Sequence, residues 1–185
     1  MTSDTENRGR YRRYEDRRVA LLLRVHEILF DHLESSERDE LLLGAILDNY
    51  GADRGAFLSP VHSDDGLLRF DALVGKWPAD TLGKNVAGDG LEALLALQEN
   101  APGAVTLARV KRPESFRRDA WETLWQEDLV AKALLSVLIA SSHAPKQYLW
   151  LVQSSYSREW SSRDRELAEE VSGLLARARD KVWLK

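Results

Sequence analysis

The chain has 185 residues, 44% of them hydrophobic and 30% charged, with a net charge of −4. That is room for one domain with a proper core, and the acidic balance argues against a bulk electrostatic grip on nucleic acid. Cysteine is absent, which excludes disulfides, thiolate metal sites, thiol catalysis and thioether attachment of a cofactor.

Residues up to about Asp16 are polar, with arginines at 8, 10, 12 and 13 and no apolar stretch of the kind a signal peptide needs. They read as a disordered or frayed tail, leaving a single domain over 17–185. A helix is predicted from about Arg17 to Glu34. Val19, Leu22, His26, Leu29 and Leu33 step by three and four along it, and Leu21, Val25 and Ile28 form a second such set, with Leu23 and Phe30 between. A helix apolar on more than one side must bury more than one side, so one face covers its own domain and another needs a partner. Ser36 is the expected cap of a second helix that runs to Tyr50, with Gly51 as its stop.

Gly55 to Val61 and Leu67 to Val74 read as two strands of an antiparallel hairpin. A short helix follows from Gly90 to Asn100, then a short strand from Ala104 to Leu107. Residues 108–128 form a long basic and aromatic connection. Ala133 to Ala140 is a nearly continuous apolar strand, as expected at a sheet centre, and Gln147 to Gln153 is another. Ala133 to Ala140 is also the longest apolar run, broken by Ser136 and too short to span a bilayer, so a cytoplasmic, non-membrane protein is predicted. Ser161 and Asp164 have capping-box spacing at the start of a last helix, along which Leu167, Val171, Leu174 and Ala178 repeat the core spacing. The order lacks regular alternation of strand and helix. It predicts an α+β fold with a central antiparallel sheet of about five to six strands, helices on both sides, and the two terminal helices packed together.

That order, with the strings Leu41-Leu42-Leu43-Gly44-Ala45-Ile46, Gly51 to Leu58, Ala133 to Ile139, Tyr148 to Leu151 and Trp160 to Leu167, resembles the GAF domain family over roughly 17–178. The resemblance implies a GAF/PAS-like fold and a role in signalling as a sensor or regulatory domain that dimerises. It also implies a small-molecule pocket walled by the 109–125 region, and a partner protein or output domain for which this length has no room. The signature of cyclic-nucleotide-binding members is missing, since Phe116-Arg117-Arg118-Asp119-Ala120 has the wrong spacing, and a thioether-linked bilin is excluded for want of cysteine.

No nucleophile elbow, phosphate loop or metal-binding histidine motif occurs, so neither an enzyme nor a metal protein is expected. The least ordinary stretch is Arg109 to Trp125, where arginines alternate with aromatics. Arginine forks beside indoles suit a flat, apolar, anionic ligand, although a solvated loop with core-plugging tryptophans fits the same residues. The candidate ligand residues are Phe57, Trp77, Phe116, Arg117, Arg118, Trp121, Trp125 and Trp150. These tryptophans either line a pocket or fill it, and filling it leaves a pocketless interaction module as the alternative function. The candidate homodimer residues are Val19, Leu22, His26, Leu29, Leu33, Leu167, Val171, Leu174 and Ala178.

Overall fold

The computed structural model describes residues 3–31, 34–61, 66–100, 103–107, 125 and 129–183. In chain order the elements are α1 (Ser3–Phe30), α2 (Ser35–Tyr50), β1 (Arg54–Pro60), β2 (Leu68–Gly75), β3 (Asn85–Val86), α3 (Asp89–Asn100), β4 (Val105–Leu107), β5 (Ala133–Ile139), β6 (Gln147–Gln153) and α4 (Ser162–Trp183). The strands form one six-stranded sheet, ordered β3-β2-β1-β6-β5-β4, antiparallel at every pairing. The two longest apolar strands of the second half, β5 and β6, lie inside it, as near-continuous hydrophobic runs require.

Helix α1 starts at Ser3, well before Arg17, and runs through the segment expected to be a tail. That segment carries no apolar period, and polar contacts join the end of it and the residues that follow to α2 and α4. The Tyr14 hydroxyl donates to the Arg163 carbonyl at 3.2 Å. Arg17 and Asn49 bond each other's backbone carbonyls. Arg18 forks onto Glu170, Nε to Oε1 at 2.8 Å and Nη2 to Oε2 at 2.6 Å, which joins α1 to α4. Helix α2 begins one residue before Ser36. Glu34 holds the cap position without a side-chain bond, so Ser36 lies inside the first turn instead of capping it. Gly51 ends α2 in a left-handed conformation with φ of 61°, its N–H donating to the Leu47 carbonyl at 2.7 Å. The expected capping box is present at α4: the Asp164 N–H donates to Ser161 Oγ at 3.1 Å, and the Ser161 N–H to Asp164 Oδ2 at 2.8 Å.

Alternation along the strands sends side chains into two separate cores. Phe57, Leu135, Val137, Leu149 and Leu151 meet α1, α2 and α4 on one face. Ala56, Leu58, Phe70, Leu134 and Trp150 meet α3 and Trp125 on the other. The α1 residues that enter the first core are Leu21, Val25 and Ile28. Gly75 closes β2 at φ of +97°, with its Cα against the Asp53 carbonyl, where no side chain fits.

Candidate functional site

Two places collect the residues singled out by sequence. The first is the α3 face of the sheet. The register sets Ala56, a small residue, opposite Trp150 on β6, and Trp150 opposite Ser136 on β5, so the indole lies across three strands. Trp125 packs on it with ring centroids 5.7 Å apart, and Phe70 meets it edge-on at 6.0 Å. Trp125 and Trp150 are both 0% exposed. At that separation the two indoles are in contact, so no flat ligand fits between them. Trp77 extends the cluster, its ring 5.4 Å from Phe70. Its indole N–H is committed to the carbonyls of Val74 and Gly55, which makes it a clasp on the β1–β2 pair. Arg54 lies over the Trp77 ring at 5.6 Å and donates to the Leu129 carbonyl at 2.7 Å.

Phe57 does not belong to this cluster. It points from β1 into the opposite core, because residues one apart on a strand face opposite ways. Phe116, Arg117, Arg118 and Trp121 lie outside the described residues. Trp150 Nε1 and Ser136 Oγ, register partners, are buried without a hydrogen-bond partner among the described residues. No group of three or more metal-ligating side chains occurs among those residues, and no helix there is long and apolar enough to cross a membrane.

The second place is a groove between α1 and α4. Its upper part, about 620 Å³, runs past Val19, Leu22, Leu23 and His26 on α1 and Leu174 on α4. Its lower part, about 420 Å³, runs past Leu29 and Phe30 to Ala178 and Val182. Val19, Leu23, Phe30 and Val182 are 47%, 59%, 61% and 63% exposed, so the two helices present a continuous apolar strip to solvent. Charges of both signs rim it: Glu169, Glu170, Arg177 and Lys181. His26 packs against Phe30 with the rings tilted and their centroids 4.4 Å apart, and Lys181 lies 5.5 Å over the same Phe30 ring.

Of the residues predicted for an interface, Val19, Leu22, His26, Leu29, Leu174 and Ala178 line this groove. Leu167 and Val171 do not. They are 4% and 0% exposed and sit in the core against the sheet. An amphipathic helix carries two apolar sets here, and spacing alone does not say which one faces inward. Leu33 lies outside the described residues. Leu23, Phe30 and Val182 line the groove as well, and Val19, Leu23, His26 and Phe30 step by four, three and four along the outward stripe of α1.

No protein-family model matches the chain, and no curated protein matches it in sequence. Solved structures do match in shape. The phycocyanobilin-bound GAF domain from a cyanobacterial phytochrome superposes with a TM-score of 0.69 at 17% identity, covering 90% of this chain and 96% of that one. The GAF domain of a phosphoenolpyruvate-protein phosphotransferase from Coxiella burnetii gives 0.67 at 14% identity, covering 89% and 94%. The equivalent domain from Acinetobacter gives 0.63 at 12%, covering 85% and 89%. The chain therefore has the GAF fold over most of its length, as its sequence resemblance implied.

Proposed function

We propose that this chain is a non-catalytic signalling domain of the GAF type, working in the cytoplasm as a homodimer joined through α1 and α4. The observation that carries this reading is the exposed apolar strip of Val19, Leu23, Phe30 and Val182 along the groove between the two helices. Four such helices, two from each copy, bury that strip in a bundle about a two-fold axis. The mixed charges on the rim suit self-pairing, since a two-fold operation sets an acidic end of one strip against a basic part of the other. The bidentate Arg18–Glu170 pair couples the helices, so a movement of one is passed to the other and to a partner protein or output domain.

Among the described residues, the contact between Trp125 and Trp150 on the α3 face favours a module that acts by association. A phytochrome GAF domain of this shape holds phycocyanobilin, but here Trp125 and Trp150 occupy their face with their own rings, and no cysteine exists to bond a bilin. A second reading, a small-ligand sensor at that face, is favoured by one observation. Trp150 Nε1 and Ser136 Oγ are two buried polar atoms without partners among the described residues, and a buried donor left unmade is costly.

Native mass spectrometry of the purified chain tests both at once. The first reading expects a dimer at the mass of two bare chains. A dimer with added small-molecule mass supports the second. A bare monomer across the micromolar range contradicts both.

A further inference from the structure

A third place lies on the helical side of the sheet, away from the indole cluster. Between α2, β6 and the end of α4 is a cavity of about 230 Å³. Its walls include Leu42, Phe57 and Leu175, and its charged groups are Arg38, Asp39 and Arg179. The nearby carboxylates are committed elsewhere. Asp71 accepts from Ser59 Oγ at 2.5 Å and Gln147 Nε2 at 3.3 Å, and is paired with Arg69 at 3.3 Å. Asp180 accepts the backbone N–H groups of Ser142, His143 and Ala144. Arg179 makes no hydrogen bond or ion pair among the described residues, and its Nη1 is buried without an acceptor.

We propose that this cavity binds a small apolar monocarboxylate, with its carboxylate on Arg179 and its apolar body against Leu42, Phe57 and Leu175. Two arginines, Arg38 and Arg179, face one acid, Asp39, in the lining, and Asp71 and Asp180 also act on Arg179, so the cavity suits an anion of the lowest charge. Planar guanidinium groups take carboxylates through two parallel bonds, and a low-dielectric wall strengthens them. The volume lies below the roughly 300–1,000 Å³ of sites for drug-sized molecules, so the ligand is fragment-sized. Burial pushes the Asp39 carboxyl above, and the Arg179 guanidinium below, their ordinary values, the mark of charged groups that water solvates poorly. A ligand here would touch α2 and α4 together, and so would report on the helix that forms one side of the proposed dimer groove.

The test is a titration of the full-length, isotope-labelled chain with sodium benzoate, followed by amide chemical shifts. Benzamide and inorganic phosphate are run in parallel. The expected result is a saturating shift at Leu42, Gln147 and Leu175, with neither benzamide nor phosphate saturating in the same range. Arg179→Gln should weaken benzoate by about tenfold or more, as loss of a bidentate charge pair does. Arg38→Gln, on another helix, carries the same direction and decides the matter should the first variant not fold. Leu97→Ala, exposed on α3 across the sheet, should leave the affinity unchanged. The proposal is overturned by benzamide binding as well as benzoate, by phosphate alone binding, by unchanged affinity in the folded arginine variants, or by shifts that map to the Trp150 face.

Discussion

Single residues in this chain do two kinds of work, filling and stitching. Trp150 fills. It is wholly buried between Trp125 and Phe70, so Trp150→Ala leaves a void the size of an indole and should cost about 3–5 kcal/mol in chemical denaturation. Trp150→Phe should cost much less, because an aromatic face is kept. Asp53 stitches. Burial alone would raise its carboxyl, but bonds from the hydroxyls and backbone N–H groups of Ser155 and Ser154 outweigh that and hold it at about 2. A carboxyl lowered on folding contributes stability that is complete above its unfolded value of 3.8 and is lost as pH falls towards 2. Asp53→Asn should therefore be less stable than the parent at neutral pH, and should lose less stability between about pH 4 and pH 2. Parallel acid dependences for the two proteins in that window would show that the four bonds do not carry this charge.

Elements are where the sequence spoke most clearly. The capping box of Ser161 and Asp164 was readable because its spacing is chemical, and both of its bonds form. Ser161→Ala should cost about 1 kcal/mol and fray the first turn of α4, seen as faster amide exchange at Arg163 to Arg165. Strands β1, β5 and β6 were legible as apolar runs, and Gly51 as a left-handed stop. Three features were not. The early start of α1 escaped because residues 3–16 are polar and carry no apolar period. The two-residue β3 is too short to show any alternation. The division of α4 into an inner set, Leu167 and Val171, and an outer one, Leu174 and Ala178, needed the sheet to be in place. The candidate site was legible in its residue types and only partly in its geometry: Trp125 and Trp150 do meet, but Phe57 belongs to the other face. The Arg179 cavity had no sequence signal, since its charged residues come from helices far apart in the chain.

At the scale of the whole molecule, the terminal helices leave one side of the fold with an apolar strip uncovered. The missing cyclic-nucleotide signature and the contact between Trp125 and Trp150 predict no heat of binding for cyclic GMP or cyclic AMP at micromolar concentration in calorimetry. A submicromolar dissociation constant for either would contradict this. The central claim is association through the groove, and Leu23 is its cleanest probe: at 59% exposure it contributes little to the core of its own domain. Sedimentation equilibrium of the parent chain and of Leu23→Glu, each at tens of micromolar, measures this directly. A dimer is expected for the parent and, with an unchanged circular dichroism spectrum, a monomer for Leu23→Glu. A monomeric parent, or a folded Leu23→Glu that remains as dimeric as the parent, would contradict it.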